Sequence, residues 1–311
     1  MQRTERVEPP RFSSANVRQW HDTGFVILED FFSPAEIAPV LADFATLYAE
    51  RGQGEGVGQV KDLKKSGEIG AFSAQQFLNF DQMPYPASPA INLISMHPDL
   101  IRFARALLGE DQVHCYQSHT WAKYTGEADY DQMFHCDYRN HTLTVPADEA
   151  SLRTVNFVIY LNDVTDDLGA LHYLTRQDAS ELLGADVLNP SDSMQPALKA
   201  RERSAAGPAG TLVAYGIDTL HRGTNLTRPD GKRFTMTVSY KAAGNEMIGF
   251  HVWQFAPDRP WHLIIEHASA EQLAVLGIPP PGDTFWTERT LHLTQARWPN
   301  WDMTEYFAAN E

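Results

Sequence analysis

Cysteine is scarce: two residues, Cys115 and Cys136, stand in a chain of 311. They lack the paired spacing of a zinc site and are too few for a disulfide framework, so both are expected as reduced thiols of a cytoplasmic protein. Positive charge is also short. The 25 Lys and Arg face 40 Asp and Glu, a formal charge of −15. A nucleic-acid surface needs cations to displace the counterions of phosphate, so no nucleic-acid partner is expected. No apolar run approaches the ~18 residues that cross a bilayer, so no membrane association is expected either. The opening residues MQRTERVEPP hold no apolar core of a secretory leader. Internal repeats and low-complexity tracts are missing too.

Apolar residues make up 43% of the chain, enough to bury a core without staples. We read residues 1–311 as a single domain in three parts: a helical and strand support over 14–112, a β-rich core over 113–255, and a C-terminal wrap over 256–311. In the first part a helix begins at a Ser14 cap, and GFVILEDFF (24–32) reads as a strand. Ser33-Pro34-Ala35-Glu36 supplies a cap, a first-turn proline and a capping-box acid. The helix that follows carries Ile37, Val40, Leu41, Phe44 and Leu47 at helical spacing and is expected to stop near Gly52. Residues 52–76 are glycine-rich without the spacing of a phosphate-binding loop. They read as a loop or lid, whose Lys61, Lys64 and Lys65 either meet an anionic substrate or, as favoured, are solvated. A further helix is expected over Pro98–Leu108.

From about residue 113 the texture changes to short strand-like runs separated by turns: HCYQSHTWAKY, DQMFHCDY, LRTVNFVIYLND, GALHYL, GTLVAYG, KRFTMTVSYKA and GFHVWQF. Such spacing points to an antiparallel sandwich or barrel. The segment 175–205 reads as an insertion or short helix. Residues 256–311 show one helical stretch near 268–276.

The chemistry centres on His135-Cys136-Asp137. On a strand, residues two apart share a face, which would present an imidazole and a carboxylate side by side. With one further His, they would form the two-histidine, one-carboxylate triad of non-haem Fe(II) sites. The spacing alone is weak: with 12 histidines in the chain, chance supplies about one His-x-Asp. A second copy, His97-Pro98-Asp99, reads as a helix start, with Asp99 favouring the dipole. His221 lies downstream after a strand and turn. The strand opening at Arg233 places Arg233, Thr235, Thr237 and Ser239 on one face. A guanidinium with a neighbouring hydroxyl suits the distal carboxylate of a dicarboxylate such as 2-oxoglutarate.

The order His135-x-Asp137, His221, Arg233 with Thr235 resembles the phytanoyl-CoA dioxygenase family of Fe(II)/2-oxoglutarate oxygenases. WHDTGFVILEDFFSPAEI and IYLNDVTDDLGALHYL resemble that family's opening unit and central strand pair, and the likeness covers most of residues 20–245. The resemblance implies a mainly β fold with flanking helices, a double-stranded β-helix or jelly roll. It implies Fe(II) held by His135, Asp137 and His221, with 2-oxoglutarate anchored by Arg233. It also implies oxidation of a small-molecule substrate by O2 with release of succinate and CO2. Related halogenases have a small residue in place of the carboxylate, so Asp137 favours hydroxylation, desaturation or cyclisation. Where members often carry Pro-Gly-Ser-His after the central pair, this chain has Leu174-Thr175-Arg176-Gln177-Asp178, which leaves the substrate open. A secondary metabolite, an amino-acid derivative or a lipid-like acid all fit. The acidic balance mildly disfavours an acyl-CoA. Arg228 competes with Arg233 as anchor but precedes a proline in a turn, so Arg233 is preferred.

Other residues carry two readings. Asn156 either contacts 2-oxoglutarate or substrate, or is a satisfied interior amide. His172 either meets substrate or is structural. Lys123 and Tyr124 line the cavity rim or, as favoured, lie on the surface. Cys136 points away from the proposed ligands. His114, His119, His141, His251, His262, His267 and His292 read as structural or exposed. Trp253, Trp261, Trp286, Trp298 and Trp301 read as packing residues of the wrap. Two rival functions remain: a cupin-like metalloenzyme that does not use 2-oxoglutarate, and a non-enzymatic sensor or scaffold retaining the fold. The oligomeric state is left open.

Overall fold

The computed structural model describes residues 9–49, 80–126, 131–184, 187–248 and 259–310. The loop 52–76, Lys61, Lys64, Lys65, His251 and Trp253 lie outside them.

The support begins with α1 (Ser14–Thr23), capped by Ser13, one residue earlier than expected, and closed by Gly24 at φ 80°. Strand β1 (Phe25–Leu28) follows. Helix α2 (Pro34–Leu47) starts at the anticipated box: Glu36 accepts from the Ser33 backbone N–H and hydroxyl, both at 2.8 Å. Strand β2 (Phe80–Gln82) leads to α3 (Pro89–Leu93), which was not anticipated, and α4 (Pro98–Leu108), whose two ends match the sequence reading.

The core holds β3 (Val113–Tyr124), α5 (Tyr138–His141), β4 (Thr154–Tyr160), β5 (Leu171–Tyr173), α6 (Arg176–Leu183), α7 (Gln195–Lys199), β6 (Arg203–Ser204), β7 (Leu212–Gly216), β8 (His221–Gly223) and β9 (Lys232–Ala242). All strand pairs are antiparallel. The large sheet runs β1-β7-β4-β9-β3-β2 and the small one β6-β5-β8. These two antiparallel sheets with flanking helices are the expected architecture.

Alternation decides what each face of the large sheet does. Val155, Phe157 and Ile159 stand opposite Tyr240, Val238 and Met236 and pack with the helices in the main core. The intervening residues face the small sheet: Asn156, Val158 and Tyr160 opposite Ser239, Thr237 and Thr235. Val158, Tyr160, Val213 and Tyr215 bury there with Phe25, whose ring stacks on Tyr173 at 3.6 Å. One face is therefore greasy and closed, and the other is mixed and available to chemistry.

Three expectations are corrected here. DQMFHCDY is not a strand: His135 makes a lone bridge and Asp137 already has helical dihedrals before α5. The C-terminal wrap holds four short helices: α8 (His262–Ile265), α9 (Ala270–Ala274), α10 (Glu288–Arg297) and α11 (Thr304–Ala308). Helices of four or five residues, as α8, α9 and α11 are, are too short to show a period. Capping boxes of Ser269 with Gln272 and Thr287 with Thr290 start α9 and α10. Lys123 is buried at 7% exposure. Its stem lies within the sheet pair and its Nζ donates to the Thr224 carbonyl at 3.2 Å. Trp261, Trp286 and Trp301 are buried in the main core, as expected of packing residues, and Trp298 packs against it. Among the described residues, no helix is long and apolar enough to cross a membrane.

Candidate metal centre

His135, Asp137 and His221 converge. Each offers one ligand atom, and the three atoms lie within 4.8 Å of one another. Among the described residues this is the one cluster of His, Cys, Asp and Glu with that property. Asp137 Oδ1 lies 3.7 Å from His135 Nε2 and 3.5 Å from His221 Nε2.

Backbone geometry brings the two distant segments together. His135 N–H donates to the His221 carbonyl and His221 N–H to the His135 carbonyl, both at 3.0 Å. His221 opens β8 on the inward face with Tyr173, its register partner. Asp137 reaches the same point because the chain turns into α5 immediately after His135.

Hydrogen bonds outside the triad fix each ligand's orientation. His135 Nδ1 lies 2.8 Å from the Met133 carbonyl, and His221 Nδ1 lies 2.9 Å from that of Thr219. A carbonyl only accepts, so both Nδ1 atoms carry the proton. Both Nε2 lone pairs are left facing Asp137. Asp137 Oδ2 accepts from the Tyr215 hydroxyl at 2.9 Å and from Asn156 Nδ2 at 3.3 Å. That leaves Oδ1 towards the imidazoles. Asn156 thus faces the site, and its amide holds the carboxylate. Tyr215, in register with Asn156 on the neighbouring strand, was not singled out in the sequence. Its place in LVAYG, two residues from Val213 on the inward face, was the available signal.

The electrostatics agree with this arrangement. Burial, reinforced by His221, holds the His135 imidazole below its usual value and keeps it neutral. Burial alone would raise Asp137. His221, His135, His141 and the Tyr215 hydroxyl together hold it below the usual carboxylate value. Burial and the Asp137 charge push the Tyr215 phenol well up, so it stays a donor. His141, read as structural or exposed, is an outer neighbour of the site, with Nδ1 2.5 Å from the Tyr116 hydroxyl. His135 and Asp137 retain 19% and 16% side-chain exposure against 5% for His221. The open side of the triad is therefore the 135–137 side.

Arg233 and Thr235 share the inward face of β9. Thr235 is buried between Trp121 and Tyr160 in register. Arg233 Nη1 donates to the Gly169 carbonyl. Gly169 has φ 78°, and a Cβ there would come within 2.7 Å of the Thr224 carbonyl oxygen and 3.1 Å of Arg233 Nη1. Only glycine leaves the guanidinium its space. Arg228, the competing anchor, is tied to Asp167 by its Nε at 2.9 Å and is 46% exposed.

The structure does not bring His172 to the site. Its register partner is Arg222, on the outward face of the small sheet, and its ring nitrogens lie 3.1 Å from Asp166 and 2.9 Å from Glu202. Cys136 points away from the triad, as expected, with Sγ 3.1 Å from the Asp218 carbonyl. Burial raises its thiol well above the usual value.

Two imidazole nitrogens and one carboxylate oxygen, with a side left open, form a donor set that fits Fe(II). Comparison with solved structures gives the same fold. EctD from S. alaskensis, solved with 2-oxoglutarate and 5-hydroxyectoine, is 19% identical with a TM-score of 0.57, covering 84% of this chain and 86% of its own. The α-ketoglutarate-dependent carbocyclase SnoK of nogalamycin biosynthesis is 19% identical with a TM-score of 0.53, covering 76% and 87%. The epimerase SnoN, solved with Fe3+, α-ketoglutarate and nogalamycin RO, is 16% identical with a TM-score of 0.53, covering 74% and 83%. No curated protein matches the chain. The family profile described as phytanoyl-CoA dioxygenase (PhyH) matches residues 20–233, a span that begins in α1 and takes in the triad and Arg233. The chain belongs to the phytanoyl-CoA dioxygenase family.

Proposed function

We propose that this protein is an Fe(II)- and 2-oxoglutarate-dependent oxygenase acting on a small molecule, organised as one oxygenase domain. The observation that carries this reading is the convergence of His135 Nε2, Asp137 Oδ1 and His221 Nε2 with both Nδ1 atoms committed to carbonyls. With 2-oxoglutarate and O2, iron in such a site supplies oxidative decarboxylation to succinate and CO2, coupled to oxidation of a substrate C–H bond.

The chain's own residues prepare that site. His135, Asp137 and His221 hold the metal on one face. Tyr215 and Asn156 keep the carboxylate oriented, so it need not reorganise when the metal arrives. Arg233 takes the distal carboxylate of 2-oxoglutarate, and Thr235 adds a hydroxyl beside it. Before the co-substrate enters, the Gly169 carbonyl holds the guanidinium in place. The presence of Asp137 favours hydroxylation, desaturation or cyclisation as the outcome.

Anaerobic addition of Fe(II) and then 2-oxoglutarate to the apoprotein tests the proposal. A weak visible charge-transfer band of the chelated 2-oxoacid is expected, lost in Asp137→Ala and weakened in Arg233→Ala. Metal binding without a band would favour the cupin-like alternative. Absence of metal binding would favour a sensor or scaffold.

A further inference from the structure

Residues 131–135 lie along β8 as an irregular edge of the small sheet. Gln132 N–H donates to the Gly223 carbonyl at 2.9 Å, and Gly223 N–H donates to Gln132 Oε1 at 2.7 Å. His135 exchanges both backbone bonds with His221. In such a ladder alternate residues turn their backbone groups to opposite sides, so Phe134 points its N–H and C=O away from β8. Phe134 is 2% exposed, and buried backbone groups need partners. No strand supplies them. Gln195, the first residue of α7, does: Oε1 accepts from Phe134 N–H at 2.8 Å and Nε2 donates to the Phe134 carbonyl at 3.2 Å. A side-chain amide stands where the next strand's peptide would stand. Leu198 of the same short helix is fully buried in the cluster that contains Phe134.

The position of that amide matters to the metal. Phe134 N–H and Met133 C=O belong to one rigid peptide plane, and they point in opposite directions. The N–H is held by Gln195 Oε1. The C=O accepts from His135 Nδ1 at 2.8 Å. Gln195 therefore acts through a single peptide unit on the hydrogen bond that fixes the tautomer of a ligand histidine. We propose that Gln195 is a positioning residue for the metal centre, orienting the Met133–Phe134 peptide so that His135 presents a neutral Nε2. This rests on the metal reading above.

The test measures Fe(II) affinity anaerobically by chelator competition, with the visible spectrum of the Co(II)-loaded protein as a second readout of ligand geometry. Gln195→Leu removes both bonds at similar size. Gln195→Asn stays polar but is one methylene too short, and it decides the matter if the Leu variant does not fold. Gln195→Glu keeps the acceptor for Phe134 N–H. A matched control exists far from the triad. Asn92, fully buried, clamps the backbone of Tyr85 in the same way, accepting its N–H at 2.8 Å and donating to its carbonyl at 3.1 Å. Gln195→Leu and Gln195→Asn should weaken Fe(II) binding by about tenfold and alter the Co(II) spectrum, with Gln195→Glu restoring most of the affinity. Asn92→Leu should lower the melting temperature and leave Fe(II) affinity unchanged. Fe(II) affinity within about twofold of wild type in the folded Leu or Asn variant would overturn the assignment and leave Gln195 a structural clamp like Asn92. A wild-type protein that binds no Fe(II) would overturn the metal reading, and this inference with it.

Discussion

The chain contains two copies of one tripeptide pattern, His97-Pro98-Asp99 and His135-Cys136-Asp137, and they end in opposite chemical states. His97 caps α4: its Nδ1 accepts from Asp99 N–H at 3.2 Å, so its Nε2 carries the proton and donates to Glu36 Oε1 at 2.9 Å. His135 has the other tautomer, with Nδ1 donating to a carbonyl and Nε2 exposed as a lone pair. The carboxylates differ in the same sense. Asp99 is neutralised by Arg11 at 3.0 Å and Arg102 at 2.5 Å. Asp137 meets a hydroxyl and an amide on Oδ2 and keeps its charge available on Oδ1. Residue type does not separate a ligand from a cap here. What faces the second nitrogen and the second oxygen does.

The largest test of that contrast removes each acid. Asp137→Ala should abolish substrate-independent turnover of 2-oxoglutarate, measured as succinate release, with the fold retained by circular dichroism. Asp99→Ala should leave turnover intact and destabilise the protein by about 2 kcal/mol in urea, because Arg11 and Arg102 each lose an ion pair with a buried carboxylate. Turnover lost equally in both variants would erase the distinction.

The anchor offers the next test. Arg233→Ala should raise the KM for 2-oxoglutarate by roughly 10- to 100-fold, the worth of hydrogen bonds to a charged group. Arg228→Ala, which loses exposed bonds to Asp167 and Thr165, should leave KM unchanged. Smaller again is Tyr215→Phe, which removes one bond to Asp137 and should weaken Fe(II) binding by about tenfold.

The smallest effect concerns the cap. Arg11 hydrogen-bonds Glu36 and holds its carboxyl far below the usual value. A group whose acidity is raised by folding stabilises above its unfolded pKa and loses that contribution as pH falls. Glu36→Gln should therefore lower the melting temperature at pH 6. The gap from wild type should narrow progressively once the pH drops below the ordinary value of 4.5. A gap that is constant with pH would mean that the ion pair contributes nothing.

Much of this was legible in the residues. Pro98 and Gly109 bracket α4, and the alternation of Phe234, Met236, Val238 and Tyr240 against Arg233, Thr235, Thr237 and Ser239 gave β9 its two faces. The three candidate ligands and the proposed anchor followed from order along the chain together with the family resemblance. The local geometry was less legible. His135 and Asp137 share a side through a lone bridge followed by a helical turn, where strand alternation was expected. Lys123 was misplaced and His172 left open for one reason: a strand's pattern does not say which face turns inward until its partners are known. The roles of Gln195 and Tyr215 depend on contacts across 61 and 78 residues of sequence, which no local pattern carries.

The reciprocal bonds between His135 and His221 also tie a metal to the folded chain. The two histidines are brought side by side by backbone pairing between segments distant in sequence, so the three candidate donors stand together only when that pairing is made. A metal that needs all three binds the folded chain and not the unfolded one, and adding it should raise the melting temperature.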